Sequence, residues 1–119
     1  MRNFRNYDVW IDGMELVNNV YNIAEKFPKS ERFSLMTQMT RSAVSIPSNI
    51  AEGAGRSSEK DFARFLEFSL GSSYELETQL RIAVKRNYMN KKDSTIIIEE
   101  LISLQKRISA LRKQVLNKN

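Results

Sequence analysis

An all-α architecture is predicted: four helices packed antiparallel in an up-down-up-down bundle. Three observations predict it. Apolar residues recur at steps of three and four along four separate stretches. The links between those stretches are short and carry proline, glycine, serine or asparagine. No stretch shows the apolar–polar alternation of a half-buried strand. With 119 residues, the chain forms one domain over residues 1–119, able to bury about two-thirds of its unfolded surface.

Residues 1–7 read as a short arm anchored by Phe4 and Tyr7. The first helix is expected at about residues 8–26, with Trp10, Met14, Val17, Tyr21 and Ala24 as its buried stripe and Val20 and Phe27 beside it. Pro28 lies just past its end. Gly13 costs this helix about 1 kcal/mol relative to alanine, which points to a close neighbour there.

Ser30 is the expected N-cap of the second helix, residues 31–52, with Glu31 near the positive end of its dipole. Phe33, Met36, Met39, Ala43, Ile46 and Ile50 form its apolar side. Pro47 removes a donor and presses on the carbonyl of Ala43, a penalty of about 3 kcal/mol in a regular helix. The expectation is a kinked but continuous helix that ends near Glu52, with Gly53 as a left-handed cap. Gln38, Arg41, Ser45, Asn49 and Glu52 lie on one face, yet apolar residues surround them. Part of this row is therefore expected to be buried or at an interface, with partners on another helix or another subunit. Arg41 is expected to pair with Glu75 or Glu77. Ser45 and Asn49 are expected to satisfy the backbone at Pro47.

Ser58, with Asp61 three residues on, resembles a capping box and opens the third helix at about residues 59–87. Its stripe is Phe62, Phe65, Leu66, Ser69, Ser73, Leu76, Leu80, Ala83 and Val84, and the small run at 69–73 invites a neighbour to approach closely. Asp93 is the expected N-cap of the fourth helix, residues 94–116, where Ile97, Leu101, Leu104, Ile108, Leu111 and Val115 form a heptad seam. Phe68, Leu70, Tyr74, Ile82, Ile98 and Ile102 fall off these seams and suggest self-association.

The run RSAVSIPSNIAEGAGRSSEKDFARFLEFSLGSSYELETQL, Arg41 to Leu80, resembles the bacterial four-helix-bundle proteins encoded by intervening sequences in 23S ribosomal RNA genes. It is also similar to the related accessory variability proteins of diversity-generating retroelements. Trp10, the Pro28/Glu31 start and Leu35-Gln38-Arg41 fit the same pattern, and SIPSNIAEG is its most specific part. The resemblance covers about residues 7–90; beyond that the fourth helix matches only as a heptad pattern, and Phe68-Ser69-Leu70 replaces a smaller apolar run. It implies a homopentameric, barrel-like assembly. For the retroelement relatives it also implies a basic surface that binds nucleic acid and a reverse transcriptase partner.

Composition narrows the chemistry. The chain has no histidine and no cysteine, which removes the commonest general base, thiolate ligands and disulfides. Serine, arginine and glutamate of the polar row could in principle do hydrolytic work, but Ser45 has no histidine and no evident lysine base beside it in the sequence, so catalysis is not expected. The spacings of Glu75/Glu77 and Glu99/Glu100 differ from those of di-iron bundles, so neither metal nor cofactor is expected. No segment is apolar enough to span a membrane, and the N-terminus lacks the apolar core of a signal peptide, so a cytoplasmic protein is expected.

The net charge of +5 is uneven. Residues 1–59 carry seven Lys/Arg against seven Asp/Glu, whereas residues 81–119 carry ten against three. Such a tilt suits a polyanionic partner, RNA or DNA. Arg81 and Lys85 share a helical face, with Arg86 alongside and Lys91 and Lys92 in the next link. Lys106 and Lys113 share a face of the last helix near Arg107 and Arg112, and Lys60 and Arg64 should lie by that helix's end. Tyr88 is the one aromatic nearby for base stacking, so binding is expected to ignore sequence. The alternative is a protein-interaction scaffold, such as an accessory subunit of a reverse transcriptase.

Overall fold

The computed structural model describes residues 2–118; residue 1 of the expected arm lies outside them. Four helices make up the described chain: α1 Asp8–Ala24, α2 Leu35–Ala54, α3 Glu59–Lys85 and α4 Lys91–Leu116. Single 3-10 turns at Phe4–Asn6 and Lys29–Glu31 precede α1 and α2. Among the described residues there is no strand. The helices align into a rod of 48 × 24 × 19 Å. Arg107 near the end of α4 bonds Asp8 and Asp12 at the start of α1, and Arg112 reaches the carbonyl of Ala63 at the start of α3. These crossings fix the antiparallel order. Met39, Ile46 and Ile50 of α2, Phe62, Leu66, Leu76 and Leu80 of α3, and Leu101, Leu104 and Ile108 of α4 fill the axis with almost no exposure.

The stripes of α3 and α4 are buried as expected, except that Val84 and Leu111 are half-buried. The face of α1 differs. Val9, Gly13, Leu16, Val20 and Ala24 are buried, whereas Met14 and Tyr21 are 47% and 45% exposed, and Trp10 and Val17 are half-buried. A Cβ on Gly13 would meet the Cβ of Pro47 at 3.4 Å, so α1 lies against α2 on the side where it lacks a side chain. Of the predicted stripe, Met14 and Tyr21 turn outward, Trp10 and Val17 pack against the edge of the core, and Ala24 lies within it.

Helix boundaries shift for local reasons. Lys29–Glu31 is only a 3-10 turn, and α2 starts at Leu35, whose N–H donates to Glu31 Oε1 at 3.4 Å. Ser34, rather than Ser30, is the N-cap residue; its side chain makes no capping bond, and Glu31 supplies the acceptor instead. Phe33 is 91% exposed in that lead-in. The helix runs unbroken through Pro47 to Ala54. Gly53 is inside it, not in a left-handed cap: a Cβ there would meet the Cβ of Phe65 at 2.5 Å, so α2 and α3 need the glycine to touch. Ser69, from the small-residue run, donates to the carbonyl of Ile46 at 2.9 Å. Gly71 has open space beside it and takes no part in that approach. Leu70, expected off the seam, is buried in the core.

Candidate nucleic-acid interface

The turn between α3 and α4 concentrates the cations, and its own residues shape it. Asn87 adopts φ 63°, the left-handed region that asparagine tolerates. Its N–H donates to the carbonyl of Val84, and the N–H of Tyr88 donates to the carbonyl of Ala83, at 3.0 and 2.9 Å. That pair of bonds closes α3 in a Schellman motif. Asn90, rather than Asp93, then caps α4: its Oδ1 accepts from the Asp93 N–H at 2.8 Å, and its Nδ2 donates to the Asp93 carboxylate at 3.1 Å. The turn is thus closed three residues earlier than the sequence predicts.

This geometry leaves Lys85, Arg86, Lys91 and Lys92 exposed, and among the described residues none of them has an ion-pair partner. Arg81 is next to them but pairs with Glu77 at 3.0 Å. Glu77 also accepts from Gln105 Nε2 at 3.0 Å. That bond from Gln105, helped by Arg81 and opposed by burial, holds its carboxyl below the usual range. Lys91 and Lys92 occupy the first turn of α4, where the helix dipole disfavours positive charge. Asp93 offsets them only in part.

The other predicted cations are divided. Lys60, Lys106 and Lys113 are exposed without an ion-pair partner among the described residues. Arg64 pairs with Asp61 at 2.8 Å and Arg112 with Glu67 at 2.9 Å. Arg107 bridges Asp8 and Asp12 at 3.0 and 2.6 Å; burial opposes its charge, yet those two bonds raise its pKa. Arg107 and Arg112 thereby tie helices together, while the Arg64 pair stays within α3. Lys60, Arg64 and Arg112 lie at the opposite end of the rod from Lys91, where Lys118 approaches Glu59 at 4.0 Å. The eleven basic residues therefore form no single patch.

Tyr88 is already engaged and cannot stack on a base. It is half-buried, its ring centroid lies 5.5 Å from that of Phe27, and its hydroxyl donates to Glu31 Oε2 at 3.1 Å. The polar row of α2 also departs from expectation. Glu52 is exposed, and Gln38, Arg41, Ser45 and Asn49 are no more than half-buried or lie at the surface. Arg41 has no ion-pair partner among the described residues, Glu75 is exposed, and Glu77 is taken by Arg81. Asn49 Nδ2 donates to the carbonyl of Ser45 at 2.8 Å, and Glu52 pairs with Arg56 at 2.9 Å. The carbonyl that Pro47 deprives of its donor is that of Ala43, which Asn49 does not reach.

Sequence reasoning missed Arg2. Its guanidinium bonds the carbonyls of Ala54 and Arg56 and the carboxylate of Glu59, and lies 4.8 Å from the Phe62 ring centroid. Nothing in the arm's composition signals this, because every partner lies more than fifty residues away in sequence. Among the described residues, no group of three or more acidic side chains is gathered closely enough to hold a metal ion.

Comparison with known proteins sets this bundle beside others. The profile described as 23S rRNA-intervening sequence protein matches residues 5–110. A crystal structure from Bacteroides thetaiotaomicron VPI-5482, described as a protein with unknown function from the S23 ribosomal protein family, superposes with a TM-score of 0.83. It is 23% identical, and the alignment covers 88% of this chain and 98% of that one. Among curated proteins, none matches. The profile match extends well into α4, where the sequence by itself offers only a heptad seam.

Proposed function

This chain belongs to the family of 23S rRNA-intervening sequence proteins, and on that footing we propose that it works by binding rather than by catalysis. In this reading it is a cytoplasmic homo-oligomer, a pentameric ring, whose basic surface holds RNA or DNA without reading sequence. The observation that carries it is the turn between α3 and α4, with four exposed cations lacking ion-pair partners among the described residues: Lys85, Arg86, Lys91 and Lys92. Two of them oppose the dipole of α4, a local cost with no structural return. Phosphates supply that return through direct contact and counterion release, and a ring multiplies it by repeating the turn in each subunit. Outward apolar residues on α1 and α3, Met14, Tyr21, Phe68 and Ile82 among them, favour contact between copies.

The test is RNA and DNA binding by the full chain beside a variant with Lys85, Arg86, Lys91 and Lys92 all changed to glutamine. Affinity at low salt that is insensitive to sequence and abolished in the variant is the expected result. Equal binding by both proteins, or none by either, refutes the reading. Sedimentation of the unliganded chain tests the ring; a lone 13.8 kDa protomer at a concentration on the order of tens of micromolar, where an affinity of roughly 8 kcal/mol already sustains assembly, contradicts it.

A protein-interaction scaffold, such as an accessory subunit of a reverse transcriptase, is the second reading. Val84 and Ile98, which together line a depression between α3 and α4, favour it.

A further inference from the structure

We propose that the outer groove between α3 and α4 is a docking site for an amphipathic helix of a protein partner, one flanked by aspartate and glutamate. Two depressions adjoin along this pair of helices. One, of about 470 Å³, has Val84 and Ile98 at its base and Arg81, Lys85 and Lys91 around it. The other, of about 400 Å³, has Tyr74 and Ile102 at its base and Lys106 and Lys113 around it. Ile98 and Ile102 are one helical turn apart, about 6 Å, so the two depressions follow one another along α4, with the Glu77–Gln105 hydrogen bond crossing between the helices beside the second. From Lys91 to Lys113 the cations span 22 residues of one helix, about 33 Å. That is the length of a helix of roughly 20 residues.

Charge and polarity together select the occupant. Glu99 is the carboxylate lining the first depression, and Glu77, bonded by Gln105 at the edge of the second, is already paired with Arg81. The rim is therefore positive, and the base is an apolar strip of Val84, Ile98 and Ile102. Tyr74, 54% exposed, stands at one end, and the smaller polar side chains of Ser94, Thr95 and Ser109 and the buried Gln105 lie along it. A phosphate backbone gains from the rim but nothing from the floor. Bases stack on aromatic rings, and a single tyrosine offers little. An acidic amphipathic helix satisfies both, with apolar side chains at i, i+3, i+4 and i+7 seated on Val84, Ile98 and Ile102. The site goes beyond the polyanion reading: the two share Lys85 and Lys91, but only the helix needs the apolar floor.

The experiment uses the full chain with labelled Ile, Leu and Val methyls. It is titrated with a peptide of about 18 residues carrying leucines at helical spacing and glutamates on the flanks. A scrambled peptide of the same composition and a single-stranded RNA are titrated in parallel. The helix-forming peptide is expected to shift the methyls of Val84, Ile98 and Ile102 and to bind about tenfold tighter than the scrambled one. Ile98→Gln with Ile102→Gln should weaken the peptide by about tenfold and leave RNA affinity unchanged. Should that pair unfold the chain, Lys106→Glu with Lys113→Glu, both on exposed positions, must still weaken the peptide severalfold. Equal binding of the two peptides, or shifts elsewhere on the bundle, overturns the proposal. So do floor methyls that move with dilution of the protein alone (a second copy in the groove) or with RNA as they do with peptide. Failure of RNA to bind in any arm refutes the polyanion reading and leaves the groove standing.

Discussion

A methyl group added at Gly53 has nowhere to go, because Phe65 and Phe62 already occupy its place at 2.5 and 3.1 Å. The same addition at Gly71, in the middle of α3, meets nothing within 4 Å. Gly53→Ala is therefore expected to destabilise the bundle by about 1–3 kcal/mol through overpacking. Gly71→Ala should stabilise it by about 0.5–1 kcal/mol through helix propensity. Denaturant midpoints at a shared slope compare them, and a stabilised Gly53→Ala contradicts the close contact of α2 with α3. Glu77 makes a pH-dependent contribution. Its folded pKa lies below the ordinary 4.5 because Gln105 and Arg81 bond the carboxylate. The unfolded chain therefore binds its proton first as the pH falls. The stabilisation is complete above about 4.5 and disappears as the pH drops through the folded value. The stability gap between the wild type and Glu77→Gln should be widest near neutrality and close in acid. A gap that widens in acid contradicts this.

At the scale of the element, the turn between α3 and α4 carries most of what is distinctive. Asn87→Gly removes the cost of a left-handed backbone and is expected to add a few tenths to about 1 kcal/mol, whereas Asn87→Val should cost about 1–2 kcal/mol. Lys91→Glu with Lys92→Glu should stabilise α4 by about 0.3–1 kcal/mol per site while abolishing nucleic-acid binding, an opposition read by thermal melts and binding assays together. Stability that falls along with binding refutes a functional role for that misplaced charge. This turn also shows how far sequence reasoning reaches. The heptad of α4 and the cap of Ser58 on Asp61 N–H, observed at 3.0 Å, depend on neighbours within a turn or two, and both are legible in the sequence. The buried face of α1 is not, since the deciding residue is Gly13, which has no side chain to register in a hydrophobic pattern. Asn87 leaves no clear mark because asparagine is ordinary in any link. Tyr88 reads as free for stacking because its partner, Glu31, lies 57 residues away.

For the whole molecule, cationic excess in the last third of the chain resolves into two kinds of residue. Arg81, Arg107 and Arg112, like Arg64 before them, spend their charge on carboxylates of the same protomer. Lys85, Arg86, Lys91, Lys92, Lys106 and Lys113 have no ion-pair partners among the described residues. Sequence reveals the sum of the charge but not this division, since pairing depends on helices brought together only by folding. Family and fold are compatible with a binding role and with an inert one, and the behaviour of those unpaired charges separates the two. The most direct measurement is the slope of log affinity against log salt for single-stranded RNA, in the wild type and in the variant with Lys85, Arg86, Lys91 and Lys92 changed to glutamine. Affinity should fall linearly with salt, and the variant's slope should be shallower by about 0.7 for each phosphate it no longer neutralises. Identical slopes, or an affinity indifferent to salt, would contradict the account.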